Sequence, residues 1–505
     1  MVVHDPDREE LRAAAAELGL SELDDATCDS YLALLAPNVE SYRTVDRLSE
    51  ARSPAPRRDW WTPRSGANPL GAWSVRTEVR TASTGPLAGR AVAVKDNASL
   101  AGVPMMNGAS ALRGFVPEED ATIVTRLLDA GATITGKTCC ECLCSSGGSH
   151  TGADGPVRNP HRPARSSGGS SSGSAALVGA GEVDLAIGGD QGGSIRTPSA
   201  WCGAVGMKPT HGLVPYTGIA PVESTLDHAG PITATIADNA LLLEVLAGAD
   251  GHDPRQQDVV AQPYRPALTG ECDGMRIGLV DEGFGTAGAE AEVDEAVREA
   301  AKTLESLGAV VERASVPLHS SGRAIWEPIA AEGGAWQILH GNGTGMNWRG
   351  HYSTDLLEAM RGWREHADEF SESFKICVLA GALFRRRYGG GTYARAQNLG
   401  RELRAAYDAA LSSYDVLIMP TLPMKATELP PPDAGRELIV QRSFEMLDNV
   451  VPFDVTGHPA MNVPCAVSDG LPIGMMLVGR WWDEPAPYRL GHAFESSVDW
   501  RQRSV

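Results

Sequence analysis

Helices of small residues that alternate with short apolar strands constrain the fold of this chain more than any other feature. In residues 172–190, SGSAALVGAGEVDLAIGGD, a run of small and apolar residues predicts a helix, a glycine ends it, and VDLAIG predicts a buried strand before a glycine turn. Apolar strands, most of them paired with helices, recur in residues 89–97, 121–138, 275–314, 413–423 and 470–480. This alternation predicts an α/β fold whose mixed or parallel β-sheet is sandwiched by helices.

Changes in composition divide the chain into parts. Residues 7–48 carry apolar residues at helical spacing among charges and predict helices, whereas the Pro- and Arg-rich stretch 51–70 disfavours helix. We therefore predict an N-terminal helical region, residues 1–75, and an α/β domain, residues 76–505. The stretch near 320–400 is richer in Trp, His, Arg and Gly, which predicts a peripheral helical region within that domain.

Charge and cysteine usage argue against several classes of partner. Among 505 residues, 44 Lys and Arg against 64 Asp and Glu give a net charge of −20, which opposes binding to nucleic acid or an anionic membrane. No stretch approaches the ~18 apolar residues of a membrane span, and the acidic N-terminus lacks the apolar core of a secretion signal. Nine cysteines, an odd number, indicate reduced thiols. We expect a cytoplasmic protein with neither nucleic acid nor membrane as partner.

Two motifs match well-known sites, but in an unfavourable context. Residues 131–138, GATITGKT, fit the P-loop pattern. However, a helix is predicted before them, and their β-branched residues favour a strand. Lys137 is therefore interpreted as an ordinary strand-end lysine. Residues 169–173, GSSSG, fit the nucleophile-elbow pattern with Ser171 at the centre, yet the polar, Pro-rich segment before them provides no strand. An α/β-hydrolase with Ser171 as its nucleophile is the main alternative, and a flexible linker is the other.

A third motif, CCECLC at residues 139–144, contains four cysteines. A zinc site usually needs a second pair of ligands, and none is evident, although His150 and His161 are possible donors. Buried thiols in a passage from strand to helix fit the pattern better, and we expect no metal site. His458 is interpreted as structural.

The segment GGDQGGSIR, residues 188–196, places Ser194 in a glycine turn directly after a predicted strand. Successive N–H groups of such a turn can converge on one point, as an oxyanion hole requires. Taken alone, the segment could equally be a tight turn that contains a serine. Because no histidine lies nearby in the sequence, a base must come from elsewhere. Lys95 ends the apolar strand AVAV and would be neutral if buried, and hydroxyls of residues 168–174 could link it to Ser194.

Together these segments resemble the amidase signature family. GGSSSGSAALVGAG is followed by GGDQGGSIRTPSAWCGAVGMKPT, and Ser194 lies 24 residues after Ser170 and 99 after Lys95, as in that family's triad. The resemblance extends from about residue 70 to the C-terminus and is nearest to bacterial amidases of nitrile degradation. It implies the amidase signature fold, with a mixed sheet between helices, here joined to an N-terminal helical domain. It also implies a homodimer.

The resemblance gives the three matched side chains their roles. Ser194 would be the acyl-forming nucleophile and Lys95 the neutral base. Ser170, preceded by a cis peptide bond, would relay protons between them. Ser172 stands where the family usually has a glycine, which leaves the local backbone conformation open.

The resemblance also assigns groups around the triad. The oxyanion would be held by the backbone N–H groups of Gln191, Gly192, Gly193 and Ser194. The supporting side chains would be those of Ser171, Asp190 and Arg196.

The activity implied is hydrolysis of a carboxylic acid amide to the acid and ammonia through an acyl-enzyme. The substrate would be a small-molecule amide, and the reaction would need neither metal nor cofactor. The alternatives are cleavage of an ester, carbamate, hydrazide or anilide on the same fold, a transamidase subunit, and a non-catalytic binding protein with degenerate motifs. The intact Lys95, Ser170 and Ser194 argue against the last.

Residues 144–152, CSSGGSHTG, occupy the region that lines the acyl pocket in similar enzymes, and we assign Ser145 and Gly169 to that pocket. Because Ser145 is small, we expect the pocket to admit a bulky or aromatic acyl group. Ser145→Phe is then expected to lower kcat/KM for large amides more than for small aliphatic amides, measured by ammonia release. Equal losses for the two classes would contradict this assignment.

Overall fold

The computed structural model describes residues 3–49 and 55–504, which form two compact units, Met1–Ala55 and Pro56–Val505. The first unit contains the helices predicted from residues 7–48, here α1 (Arg8–Glu17) and α2 (Asp25–Ser49). Residues 51–54 of the predicted link lie outside the described residues. The division at residues 75 and 76, and the peripheral character of 320–400, stay predictions.

Helix α1 begins at a reciprocal cap. The Asp7 side chain accepts from the Glu10 N–H at 2.9 Å, and the Glu10 side chain accepts from the Asp7 N–H at 3.0 Å. Ion pairs from Arg8 and Arg12 to Asp25, at 2.8 and 2.5 Å, join α1 to the start of α2. The first unit thus contains two helices linked by exposed ion pairs.

The second unit is built on one mixed sheet, which confirms the predicted α/β class. Its twelve strands, counted over the described residues, are β1 (Trp60–Trp61), β2 (Trp73–Val79), β3 (Ala91–Lys95), β4 (Thr133–Thr138), β5 (Leu185–Asp190), β6 (Val205–Lys208), β7 (His228–Thr233), β8 (Arg276–Val280), β9 (Val310–Ala314), β10 (Val416–Pro420), β11 (Ala460–Ser468) and β12 (Leu471–Val478). They are ordered β1-β2-β4-β3-β5-β7-β6-β11-β12-β10-β8-β9. Strand β3 is parallel to both β4 and β5, and β8 to both β9 and β10, whereas the other pairs are antiparallel.

Helices cover both faces of this sheet. The α-helices of this unit, over the described residues, are α3 (Thr122–Asp129), α4 (Ser172–Gly179), α5 (Arg196–Cys202), α6 (Ile236–Leu246), α7 (Ala291–Ser306), α8 (Gly322–Pro328), α9 (Thr354–Met360), α10 (Glu372–Tyr388), α11 (Gly391–Leu411), α12 (Arg436–Phe444), α13 (Val451–Thr456) and α14 (Pro485–Ser497). Val92 and Val94 belong to a core shared with α3, α6, α7 and α14, while Ala93 between them packs with α4 on the other face. Alternation along β3 thus gives the sandwich its two apolar layers.

The P-loop pattern is a strand in the structure, since Thr133–Thr138 is β4 and follows helix α3. Strands β2, β6, β7 and β11 are not predicted from the sequence. Strand β6 has only four residues and β7, HAGPIT, contains glycine and proline, so neither shows a clear apolar run. After α8 the chain continues through wide, π-type turns at Ile329–Gly333 and Ala335–His340. No helix among residues 3–49 and 55–504 is long and apolar enough to cross a membrane.

The parallel pairing of β3 and β5 positions the site. Val94 lies opposite Ile187, so both strands end at the same edge of the sheet, β3 at Lys95 and β5 at Asp190. The carboxyl ends of parallel strands are where α/β folds place ligands. Helix α5 starts at Arg196, two residues after Ser194, and α4 starts just after Ser170 and Ser171.

Candidate active site

Lys95 and Ser170 form a buried hydrogen bond. The Lys95 amine at the end of β3 is fully buried, and its Nζ donates to Ser170 Oγ at 2.8 Å. The Gly169–Ser170 peptide bond is cis, as expected. Lys95 is therefore bonded to a hydroxyl and is not a solvated strand-end lysine.

Ser194 lies beside this pair because the two glycine- and serine-rich segments pack together. The Ser171 N–H donates to the Ser194 carbonyl at 3.3 Å. The Ser171 hydroxyl donates to the Gly189 carbonyl and accepts from the Gly189 N–H, both at 3.1 Å. Ser194 lines an open cleft, whereas Ser170 and Ser171 are fully buried. Ser171 thus joins the segments, and a buried serine with no strand before it does not form a nucleophile elbow.

The Asp190 carboxylate shapes the turn that carries Ser194. It accepts from the backbone N–H groups of Gly193 at 2.6 Å, Ile195 at 3.0 Å and Arg196 at 3.4 Å. Gly193 has a φ of +108°, a left-handed conformation that favours glycine. Because the Gly193 N–H is already bonded to Asp190, the expectation that it holds the oxyanion is corrected. The backbone N–H groups of Gln191, Gly192 and Ser194 are the remaining donors from that set.

A buried ion-pair network with Arg196 and Asp454 holds Asp190 in position. Arg196 contacts Asp190 at 3.0 Å and Asp454 at 2.9 Å, and all three side chains are fully buried. Burial alone would raise the pKa of Asp190, but the charge and hydrogen bonds of Arg196 outweigh it and hold that pKa below its usual range. Burial, followed by the charge of Asp190, raises the pKa of Asp454 well above its usual range. The segment FDVTGHP contains Asp454, but its spacing gives no sign of this partner.

A narrow apolar cleft opens in front of Ser194. Ser145 lies in its wall, as expected, and the wall also contains small residues such as Ala331 in the first π-type turn and Gly334 between the two turns. Gly169 does not line this cleft. It packs instead against Glu141, whose Cγ would lie 2.8 Å from a Cβ at this position. The assignment of Gly169 to the pocket is therefore wrong.

Trp326 is the main site residue that the sequence does not indicate. Its indole Nε1 donates to the Gln191 carbonyl at 2.8 Å. Its ring lies so close to Gly192 that a Cβ on that glycine would approach Cζ2 to 2.8 Å. Trp326, together with Phe374 and Phe444, comes from the stretch near 320–400 and from α12. No motif or spacing points to these residues, since only tertiary packing brings them to Ser194.

The other motifs occupy the surroundings of the site. Lys137 is buried and pairs with Asp96 at 3.0 Å, so it is not an ordinary strand-end lysine. Cys140, Cys142 and Cys144 are buried thiols. Within the described part of the chain, no group of three or more His, Cys, Asp or Glu side chains is arranged to hold a metal ion. His458 is buried against Asp408 at 3.0 Å, consistent with a structural role.

Comparison with known proteins places this geometry in a family. The Amidase family model matches residues 72–486. An enantioselective amidase from Rhodococcus rhodochrous is 49% identical over 462 residues, which cover 90% of this chain and 89% of the relative. A glutamyl-tRNA(Gln) amidotransferase subunit from Exiguobacterium sibiricum is 36% identical over 419 residues, which cover 83% of this chain and 86% of that relative. The crystal structure of native peptide amidase from Stenotrophomonas maltophilia is 30% identical with a TM-score of 0.68, covering 83% of this chain and 84% of that one.

Arg196→Met is expected to lower the free energy of unfolding by about 3–5 kcal/mol, because it leaves Asp190 and Asp454 buried without their cation. Urea unfolding followed by circular dichroism measures the change. The matched control is Arg276→Met, which breaks an exposed pair with Glu312 and should leave stability nearly unchanged. Equal effects from the two variants would contradict the structural role of the buried network.

Proposed function

Because this chain belongs to the Amidase family, we propose that it hydrolyses amides by an acyl-enzyme mechanism on Ser194, with Ser170 and Lys95 as the proton relay. Amide hydrolysis itself follows from the family and from the similarity to known amidases. The observation that carries the mechanism is the 2.8 Å hydrogen bond from Lys95 Nζ to Ser170 Oγ, buried beside the serine that faces the cleft.

In the proposed reaction, Ser194 Oγ attacks the amide carbonyl while its proton passes to Ser170, whose own proton passes to Lys95 Nζ. The N–H groups of Gln191, Gly192 and Ser194 stabilise the negative oxygen of the tetrahedral intermediate. The relay then runs backwards and delivers a proton to the leaving amine, which departs as ammonia. Water enters along the same path and releases the acid from Ser194.

The walls of the cleft support an apolar acyl group. The cleft in front of Ser194 is lined by the apolar side chains of Trp326, Phe374, Phe444 and Leu447 and by the small side chain of Ser145. Apolar walls favour acyl groups that leave water on binding. We propose aromatic or branched small-molecule amides as the substrate class.

The identities favour hydrolysis over transamidation. Over the aligned residues, the relative named an amidase is 49% identical to this chain, and the relative named an amidotransferase is 36% identical. Release of ammonia from a small amide by the purified chain, without any partner protein, would favour hydrolysis over transamidation. Cleavage of esters, carbamates, hydrazides or anilides on the same site stays a further alternative.

We also propose that the protein is a cytoplasmic homodimer. Helix α2 exposes apolar side chains, including Leu34 and Val45, which are 68% and 64% exposed in the chain alone. Light scattering on the purified protein is expected to give twice the chain mass, and Leu34→Lys with Val45→Lys to shift it toward the monomer. Glu40→Lys on the same helix serves as the control. A monomeric unsubstituted protein would rule out this proposal.

Ser194→Ala, Ser170→Ala and Lys95→Met are each expected to lower kcat for ammonia release at least about 10³-fold, because each removes one member of a unit that acts together. Combining any two should add little further loss. Circular dichroism would verify that each variant stays folded.

Covalent labelling supplies the control for that series. A fluorophosphonate is expected to modify Ser194 and to leave Ser171 free, as shown by mass spectrometry of the labelled peptides. Labelling of Ser171 would favour the α/β-hydrolase alternative. A folded Ser194→Ala variant that still releases ammonia would overturn the proposed mechanism.

A further inference from the structure

The π-type turns separate the cleft from a second cavity of about 320 Å³. One face of this segment, which includes Ala331, Gly334 and Ile338, lines the cleft, whereas the other face, with Glu332 and Trp336, lines the second cavity. The charged and aromatic residues in the lining of the second cavity are Glu223, Glu332, Trp336, Trp348, Arg385 and Tyr393. The proposed mechanism of amide hydrolysis uses none of them.

The buried acid Glu332 lacks a partner in this cavity. Glu332 is only 4% exposed, and neither of its carboxylate oxygens accepts a hydrogen bond of normal geometry from a residue that the structure describes. Burial raises the pKa of Glu332, although the nearby Tyr393 N–H and the charge of Arg385 lower it. Because a buried carboxylate is costly without a positive charge beside it, a cation that enters the cavity would be bound favourably.

The arginine of the lining is engaged elsewhere. The Arg385 guanidinium lies over the Trp336 ring, 4.1 Å from the ring centroid, and the side chain is exposed. Glu223 adds a second buried acid to the wall and accepts from Tyr393 Oη at 2.9 Å and from the Thr225 N–H at 2.8 Å. Two acids and one cation among the described lining residues favour a ligand with positive charge.

The other lining groups indicate what else the cation should carry. Trp336, Trp348 and Tyr393 contribute aromatic side chains, whose faces attract organic cations. The Trp348 indole N–H and the Thr344 hydroxyl are buried polar groups without a hydrogen-bond partner in the described part of the chain. Since an indole N–H can only donate, a ligand that satisfies it must present an acceptor such as an oxygen.

We propose that the second cavity binds an organic ammonium ion that carries an oxygen acceptor. The ammonium group donates to the Glu332 carboxylate near the Trp336 ring. The oxygen accepts from Trp348 Nε1, with the Thr344 hydroxyl as a further partner. This site is distinct from the cleft, because the π-type turns lie between them, and it goes beyond amide hydrolysis without depending on it.

Isothermal titration calorimetry on the full-length protein tests the charge requirement. Ethanolamine and propylamine are a matched pair of probes, since both are ammonium ions at neutral pH and they differ by one hydroxyl. Both are expected to bind, ethanolamine more tightly, whereas neutral propan-1-ol is not. Glu332→Gln should weaken both amines at least about tenfold, because it removes the negative charge. Glu327→Gln, at an exposed acid of α8, is the control and should leave both affinities unchanged.

Trp348→Phe tests the oxygen acceptor separately. This variant keeps an aromatic ring and removes the indole N–H, so it should weaken ethanolamine about threefold or more and leave propylamine unchanged. Because it does not alter Glu332, it also decides the question if Glu332→Gln fails to fold. Isobutyramide in excess should leave the affinity for ethanolamine unchanged, since an amide is expected in the cleft and the amine in the second cavity.

Three results would overturn this inference. Equal binding of ethanolamine and propan-1-ol would show that the cavity does not select positive charge. A folded Glu332→Gln variant with unchanged affinity would show that this acid is not the partner. Competition by isobutyramide would show that the amine enters the cleft instead. The proposed function fails on other grounds, because it depends on ammonia release by the Ser194 variant.

Discussion

The carboxylate of Asp190 is the group around which the site is organised. It accepts three backbone N–H groups from the turn that follows β5, and both the Nε and Nη2 of Arg196, at 3.0 and 3.1 Å. Five donors on one carboxylate define the path of the chain from residue 190 to 196. Since Arg196 also opens helix α5 and reaches Asp454, the turn is tied to α13 as well as to the sheet. The position of Ser194 is thus set by a buried charge network, together with the hydrogen bond from the Ser171 N–H to the Ser194 carbonyl.

The groups of the proposed relay and the walls of the cleft come from different parts of the fold. The sheet edge supplies Lys95 and the turn after β5, and helix α4 supplies the serines before its first residue. The cleft in front of them is made by α8, α10, α12 and the π-type turns, which bring Trp326 and Phe444 to the reacting groups. The groups of the proposed relay lie at the ends of strands and helices of the sheet core, whereas helices outside the sheet form most of the apolar wall of the cleft.

Patterns over short stretches of the sequence predict those parts of the fold that depend on neighbouring residues, such as single helices and strands. The alternation of residues 172–190 predicts helix α4 and strand β5, and the family resemblance, supported by the spacing of Lys95, Ser170 and Ser194, points to the residues of the proposed relay. Contacts between distant segments leave no such pattern. Asp454 meets Arg196 across 258 residues, and Trp326 meets Gln191 across 135. The hydrogen bond from the Gly193 N–H to Asp190 could not be predicted either. A glycine turn in the sequence does not show which of its N–H groups will donate to a neighbouring carboxylate.

The misleading motifs are connected to the site through Asp96. This acid follows Lys95 in sequence, yet its Oδ1 bonds to Lys137 of the P-loop-like segment at 3.0 Å, and its Oδ2 accepts from the Met106 and Asn107 N–H groups at 2.9 and 3.1 Å. Asp96 is thus bonded to Lys137, whereas the neighbouring Lys95 donates to the Ser170 hydroxyl. Asp96 also fixes the backbone of Asn107, whose Oδ1 accepts from the thiols of Cys140 and Cys144. The GKT and CCECLC segments are therefore both connected, directly or through Asn107, to the acid that follows Lys95.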